Sequence, residues 1–203
     1  LGEGVNLFTG APGADARTRG VDIATAQELH LLGQARGMPL LVEADGSRCH
    51  PLKAPAAHEP PIPDCSDTVV VVAGMSGLGQ PLNDTHVHRP EVFAQLSGLA
   101  LGAPVTEEAL LQVLTHPQGG LKNILPAARR VALLTQADTL EREAQAGRLA
   151  QKLLRTYHLA LVADLSAPEE AIKAAYQPVA GVVLAAGGST RLGTPKQLLD
   201  WQG

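Results

Sequence analysis

An α/β fold with a doubly wound, parallel sheet is predicted by three features of this 203-residue chain. Short apolar runs of strand length recur along it, segments with helical spacing of apolar residues separate them, and a glycine-rich loop follows the last run.

The first element is "IATAQELHLLGQARG" (residues 23–37), whose apolar spacing and closing glycine read as a helix. "PLLVEAD" (39–45) follows as a strand. "DTVVVVAGM" (67–75) is wholly apolar and β-branched, as expected of a strand buried on both faces. Two helices come next, "RPEVFAQLSGLALG" with Pro90 near its start and "TEEALLQVLTHP" with Thr106 as its cap. "RRVALLTQAD" reads as a buried strand, "TLEREAQAGRLAQKLLRTYH" as a long amphipathic helix and "LALVAD" as a further strand. In "SAPEEAIKAAYQP" the pair Ser166 and Glu169 forms a capping-box pattern that ends at Pro178, which predicts a linker helix over 165–178. "VAGVVLAAGG" then opens a second unit, so the division is 1–164, 165–178 and 179–203.

Composition narrows the function. With 45% hydrophobic residues, 18% charged residues and a net charge of -4, neither disorder nor a basic nucleic-acid surface is indicated. One Trp, two Tyr and two Phe leave little to stack on single-stranded bases. No apolar stretch approaches the roughly 20 residues of a membrane helix, and no basic-then-apolar leader opens the chain. A cytoplasmic protein without nucleic-acid or membrane partners is expected. Cys49 and Cys65 form no CxxC pair, so neither a zinc knuckle nor a disulfide framework is signalled. The chain opens at Leu1 and stops just after a glycine-rich loop, which reads as truncation at both ends.

Several residues carry candidate chemistry. Glu43 and Asp45 close a strand-like run before Gly46, where a carboxylate can hold Mg2+ through water or simply cap the turn. In "LLTQADTL", Thr135 and Asp138 fit the [NT]KxD motif that reads guanine in G proteins; Gln136 replaces its lysine, and "DTLE" is equally a capping pattern. His86 and His88 share a face of an extended segment and, with Asp84, could bind a metal or act as plain hydrogen bonders. Lys53 and His58 could meet a phosphate or pterin, or sit in a solvated proline-rich loop. In the terminal loop, Gly187, Gly188 and Ser189 offer backbone N–H groups to phosphate, with Arg191 and Lys196 adding positive charge. The loop fits neither GxxxxGK[ST] nor GxGxxG.

That loop resembles the LAAGxSxRxGxxK signature of MobA-like nucleotidyltransferases, in particular molybdenum cofactor cytidylyltransferases, at Leu184, Ala185, Ala186, Gly187, Ser189, Arg191, Gly193 and Lys196. The resemblance implies the first strand and loop of a Rossmann-like domain that holds the triphosphate of CTP, with the molybdopterin cofactor as substrate. The segments "LLVEADGSRCHPLKAPAAHEPPIP", "GLGQPLNDTHVHRPEVFAQLSGL" and "GGLKNILPAARRVALLTQADT" are similar to selenium-dependent hydroxylase accessory proteins of the YqeC type. This second resemblance implies a P-loop NTPase-like sheet, Mg2+ with ATP or GTP, and a part in maturing molybdenum hydroxylases, whose apoenzyme would be a partner.

One departure bears on activity. Members of that family begin with a strand and a GxGGKTT-type phosphate loop, whereas "TGAPGADAR" has the glycines but no lysine or hydroxyl residue in the right place. The reading is therefore of an internal piece of a fusion protein, inactive alone, whose parent is a nucleotidyltransferase with an NTPase-like accessory domain. The alternative is a noncatalytic chaperone or cofactor-binding module for molybdenum hydroxylase assembly.

Overall fold

The computed structural model describes residue 10, residues 20–166 and residues 168–180. The order is α1 (Ile23–Ala35), β1 (Leu52–Lys53), β2 (Thr68–Gly74), β3 (Val87–His88), α2 (Pro90–Ser97), α3 (Glu107–Thr115), β4 (Arg129–Thr135), α4 (Leu140–Leu153), β5 (Leu159–Ala163) and β6 (Ile172–Tyr176). The strands make a four-stranded sheet ordered β2-β4-β5-β6 and a two-stranded sheet of β1 and β3. β2, β4 and β5 run parallel, and β6 is antiparallel to β5. The fold is mixed α/β with parallel pairing, as the alternation of runs predicts.

Local chemistry sets the helix starts. Asp22 caps α1 by accepting from the Thr25 amide, Thr106 caps α3 through Ala109, and Thr139 caps α4 through Arg142. Pro90 occupies the first turn of α2, where its missing N–H costs nothing. α4 lies on β4, β5 and β6, α3 packs on α4, and α2 on α3. The core forms between this layer and the sheet, from Ala73, Ala132, Leu134, Ala160 and Val162 on the strands and Leu110, Leu149 and Leu153 on the helices. Tyr157 is buried among them and donates its hydroxyl to the Leu114 carbonyl at 2.7 Å.

Four expectations need correction. Residues 39–45 form no strand: Pro39 has no N–H to give a ladder, and the far end is held by side chains instead, with the Asp45 carboxylate 2.7 Å from Lys53 Nζ and the Gly46 carbonyl accepting from the same Nζ at 2.9 Å. Leu41 is left 92% exposed. β2 is not buried on both faces, since Val70 and Val72 are 49% and 59% exposed opposite the core face of Val71 and Ala73. The single helix layer α2–α4 covers one face among the described residues, and α1 borders a cleft beside β2, so the doubly wound arrangement is not what they show.

The last correction concerns 165–178, which is a 3-10 turn at Pro168–Glu170 followed by β6 rather than a linker helix. Ser166 does not cap a helix; its amide and hydroxyl both donate to Asp164 Oδ1. Nucleating a short helix is costly, whereas β6 satisfies the open edge of β5 and packs Ala174 and Tyr176 against the core. Gly147 of α4 makes room for Tyr176, because a Cβ there would stand 2.8 Å from its hydroxyl. No helix among the described residues is long and apolar enough to cross a membrane.

Candidate functional site

A cleft of about 980 Å³ runs along β2 from Thr68 to Gly74 and reaches the carboxyl end of β4, lined among others by Glu43, Asp45, His50, Lys53, Thr135 and Gln136. The carboxyl ends of parallel strands are where open α/β sheets place their ligands. The chain is brought there by one backbone bond, the Gly74 amide donating to the Pro51 carbonyl at 2.8 Å. β1 then pairs with β3 in the register Leu52↔Val87 and Lys53↔His88.

Lys53 is the centre of the charged part. Its Nζ lies 2.7 Å from Asp45 Oδ2 and 2.9 Å from Glu59 Oε2, with the lysine side chain 13% exposed. Glu59 in turn receives both terminal nitrogens of Arg89 at 2.8 Å each, a bidentate pair. Partial burial pushes the Glu59 carboxyl up, but hydrogen bonds from Arg89, Lys53 and the Ala56 amide outweigh it and hold it down at about 2. Arg89 reaches back because it adopts φ 65°, turning the chain immediately before Pro90. Lys122 and Asn123 hold the same loop from outside, donating to the carbonyls of Ala56, Ala57 and Pro60.

Beside this network, His50 and His88 stack at 5.8 Å between ring centroids. Both nitrogens of His50 face carbonyl oxygens, Nδ1 that of Ser47 at 2.9 Å and Nε2 that of Asp84 at 2.7 Å. His88 has its pKa lowered, first by burial and then by the positive charges of Arg89, Lys53, Arg48 and His50. The surroundings of His88 therefore favour a neutral imidazole.

The candidate residues divide accordingly. Glu43 and Asp45 share the cleft with Lys53. Asp138 is not among its lining residues and pairs with Arg142 at 2.6 Å on the first turn of α4. Lys53 is held in an ion-pair network rather than a solvated loop, whereas the His58 side chain is 82% exposed. His86 and His88 do not act together: the partner of His88 is His50, and among the described residues no group of three His, Cys, Asp or Glu is placed to hold a metal. Cys49 and Cys65 are free thiols. Gly187, Gly188, Ser189, Arg191, Gly193 and Lys196 lie outside the described residues.

Sequence reasoning missed Glu59, Arg89 and His50. The signal for the first was present in "KAPAAHEPPIP", where prolines withhold backbone donors and leave a lone acid to organise the segment. The positive φ of Arg89 and Gln136 has no local signature.

Residues 4–91 match the family model described as YqeC protein. Glu43, Asp45, His50, Lys53, Glu59 and Arg89 all fall within the YqeC-matching segment, and Gln136 and Asp138 fall beyond it. The Escherichia coli (strain K12) protein described as "Uncharacterized protein YqeC" is 40% identical over 114 residues, which is 56% of this chain and 44% of that protein. The chain thus spans less than half the length of the curated relative it matches. No solved structure matches the chain.

Proposed function

We propose that the cleft beside β2 and β4 binds a nucleoside triphosphate with Mg2+, and that the chain serves the cytoplasmic maturation of molybdenum hydroxylases. The observation that carries the nucleotide reading is the Asp45–Lys53 pair, a carboxylate and an ammonium 2.7 Å apart in a cleft bordered by the carboxyl ends of parallel strands. These are the two charges that a metal-phosphate group exchanges for its own. The donor set suits Mg2+, which is held by one or two carboxylates together with substrate phosphates rather than by an all-protein cage. Asp45 and Glu43 would hold the ion, which neutralises phosphate charge when bound. Lys53 would turn from Asp45 to a phosphate oxygen while Glu59 keeps it in place.

The role in hydroxylase maturation rests on the resemblance of the segments around Asp45, Lys53 and Asp138 to YqeC-type accessory proteins. The link to molybdopterin cytidylyl transfer rests on the resemblance of the loop from Gly187 to Lys196, which would hold the triphosphate of CTP. Calorimetry with Mg-ATP and Mg-GTP tests the nucleotide site. Binding should weaken at least about tenfold when Mg2+ is withdrawn or in Asp45→Asn, the scale of one charged contact. Equal affinity in Asp45→Asn would leave Asp45 as a turn cap.

A further inference from the structure

We propose that Gln136 is a specificity-determining residue of the cleft, presenting its carboxamide NH2 to an acceptor oxygen of the bound ligand. This rests on the nucleotide reading above and names a contact within it. Three observations converge on the side chain. Gln136 follows β4 directly and has φ 58°, a left-handed backbone that a side-chain-bearing residue adopts only where its surroundings hold it there. Its Oε1 accepts from the Ser76 hydroxyl at 2.5 Å, fixing the carboxamide from the turn that follows β2. Gly74, the last residue of β2, leaves the space it occupies, since a Cβ there would collide with the carboxamide and stand 3.0 Å from the Pro51 carbonyl.

The chemistry follows from that clamp. Oε1 is engaged by Ser76, so what this cleft-lining residue has left to offer is its amide nitrogen, a two-proton donor with no protein partner among the described residues. A group built to donate selects an oxygen or ring nitrogen and disfavours a donor. In ATP and GTP the acceptor oxygens are those of the phosphates and the ribose, common to both, and in GTP also the guanine carbonyl. A strained backbone, a dedicated hydroxyl and a glycine are more structure than an ordinary exposed glutamine carries.

Two variants separate the donor from the scaffold. Gln136→Glu keeps an oxygen for Ser76 and removes both donors, and Gln136→Met keeps the length without donor or charge. Binding of Mg-ATP and Mg-GTP to the intact protein is read by calorimetry, and melting temperature by fluorescence. The expected result is a loss of about tenfold or more in both variants, as for one directed hydrogen bond, at a melting temperature within about a degree of the parent. Equal losses for the two nucleotides identify an oxygen they share, on the phosphates or the ribose, and a loss confined to Mg-GTP identifies the guanine carbonyl. Parent affinity in both variants would overturn the role of Gln136 and leave the nucleotide reading standing. So would losses that track a fall in melting temperature, because they would make Gln136 a support of the β4–α4 turn. No binding by the parent protein would remove the nucleotide reading and this inference together.

Discussion

The unit from β4 through α4 to β5 and the segment from residue 38 to residue 60 border the same cleft, yet different forces hold them. The first is packed: Leu134, Leu149, Leu153 and Val162 are fully buried in one cluster. The second is tethered. Its backbone is irregular apart from the two residues of β1, and its fixed points are Lys53, Glu59, Arg89, Lys122 and Asn123. Packing fixes the strand end at Thr135, whereas side-chain tethers hold Asp45 and Lys53 in the same cleft with charges that a ligand can compete for.

The sharpest test of this contrast is the packed unit. Leu134→Ala removes a fully buried side chain and leaves a cavity, so urea unfolding should show a loss of about 3 kcal/mol. Val72→Ala, on the exposed face of the neighbouring strand, should cost less than about 1 kcal/mol. Similar costs for the two would mean that the bare face is covered in solution and that the contrast is misdrawn.

The tethered segment should respond to Glu59→Ala with about 2 kcal/mol, because Lys53 and Arg89 lose their shared acceptor in a partly buried setting. Hydrogen exchange should quicken at the amides of residues 54–59 while β4 and α4 keep their protection. Acceleration spread evenly over both regions would show that they unfold as one.

Acid should act on the tethers before the core. The folded pKa of Glu59 is about 2 and the ordinary value is 4.5, a depression. The stability it contributes is present above about pH 4.5 and is lost as the pH falls towards 2. Glu59→Gln should therefore lose less stability than the parent protein between those limits. Parallel pH profiles for the two proteins would contradict the assignment.

The same division decides what could be read from the sequence. "RRVALLT" and "EAQAGRLAQKLL" carry their periods in the chain, so β4 and α4 were legible, as were the cap Thr106 and the first-turn Pro90. "PLLVEAD" carries a strand pattern too, but a strand needs a neighbour, and local pattern does not say whether one is there. "EEAIKAAY" shows the reverse error, since its alanines favour a helix while the open edge of β5 takes it as a strand. Asp45 and Lys53 were legible as residues with chemistry. Their pairing was not, because it depends on Glu59 and Arg89 meeting across a separation of 30 residues.

The smallest expected effect lies at Asp138, between β4 and α4 of the packed unit. Its carboxylate makes an i,i+4 pair with Arg142 at 2.6 Å, with the two side chains 45% and 33% exposed. Such pairs contribute about 0.5 kcal/mol or less, because solvent screens them and ordering two side chains offsets the attraction. Its place before α4 adds a favourable interaction with the helix N-terminus of similar size. Asp138→Asn should therefore lower stability by less than about 1 kcal/mol, an effect that shrinks further in 1 M salt. Because Asp138 is outside the lining of the cleft, the same variant should bind Mg-ATP and Mg-GTP as the parent does. A selective tenfold loss for Mg-GTP would instead make Asp138 a base-reading group, joining the end of the packed unit to the ligand that the tethered segment holds.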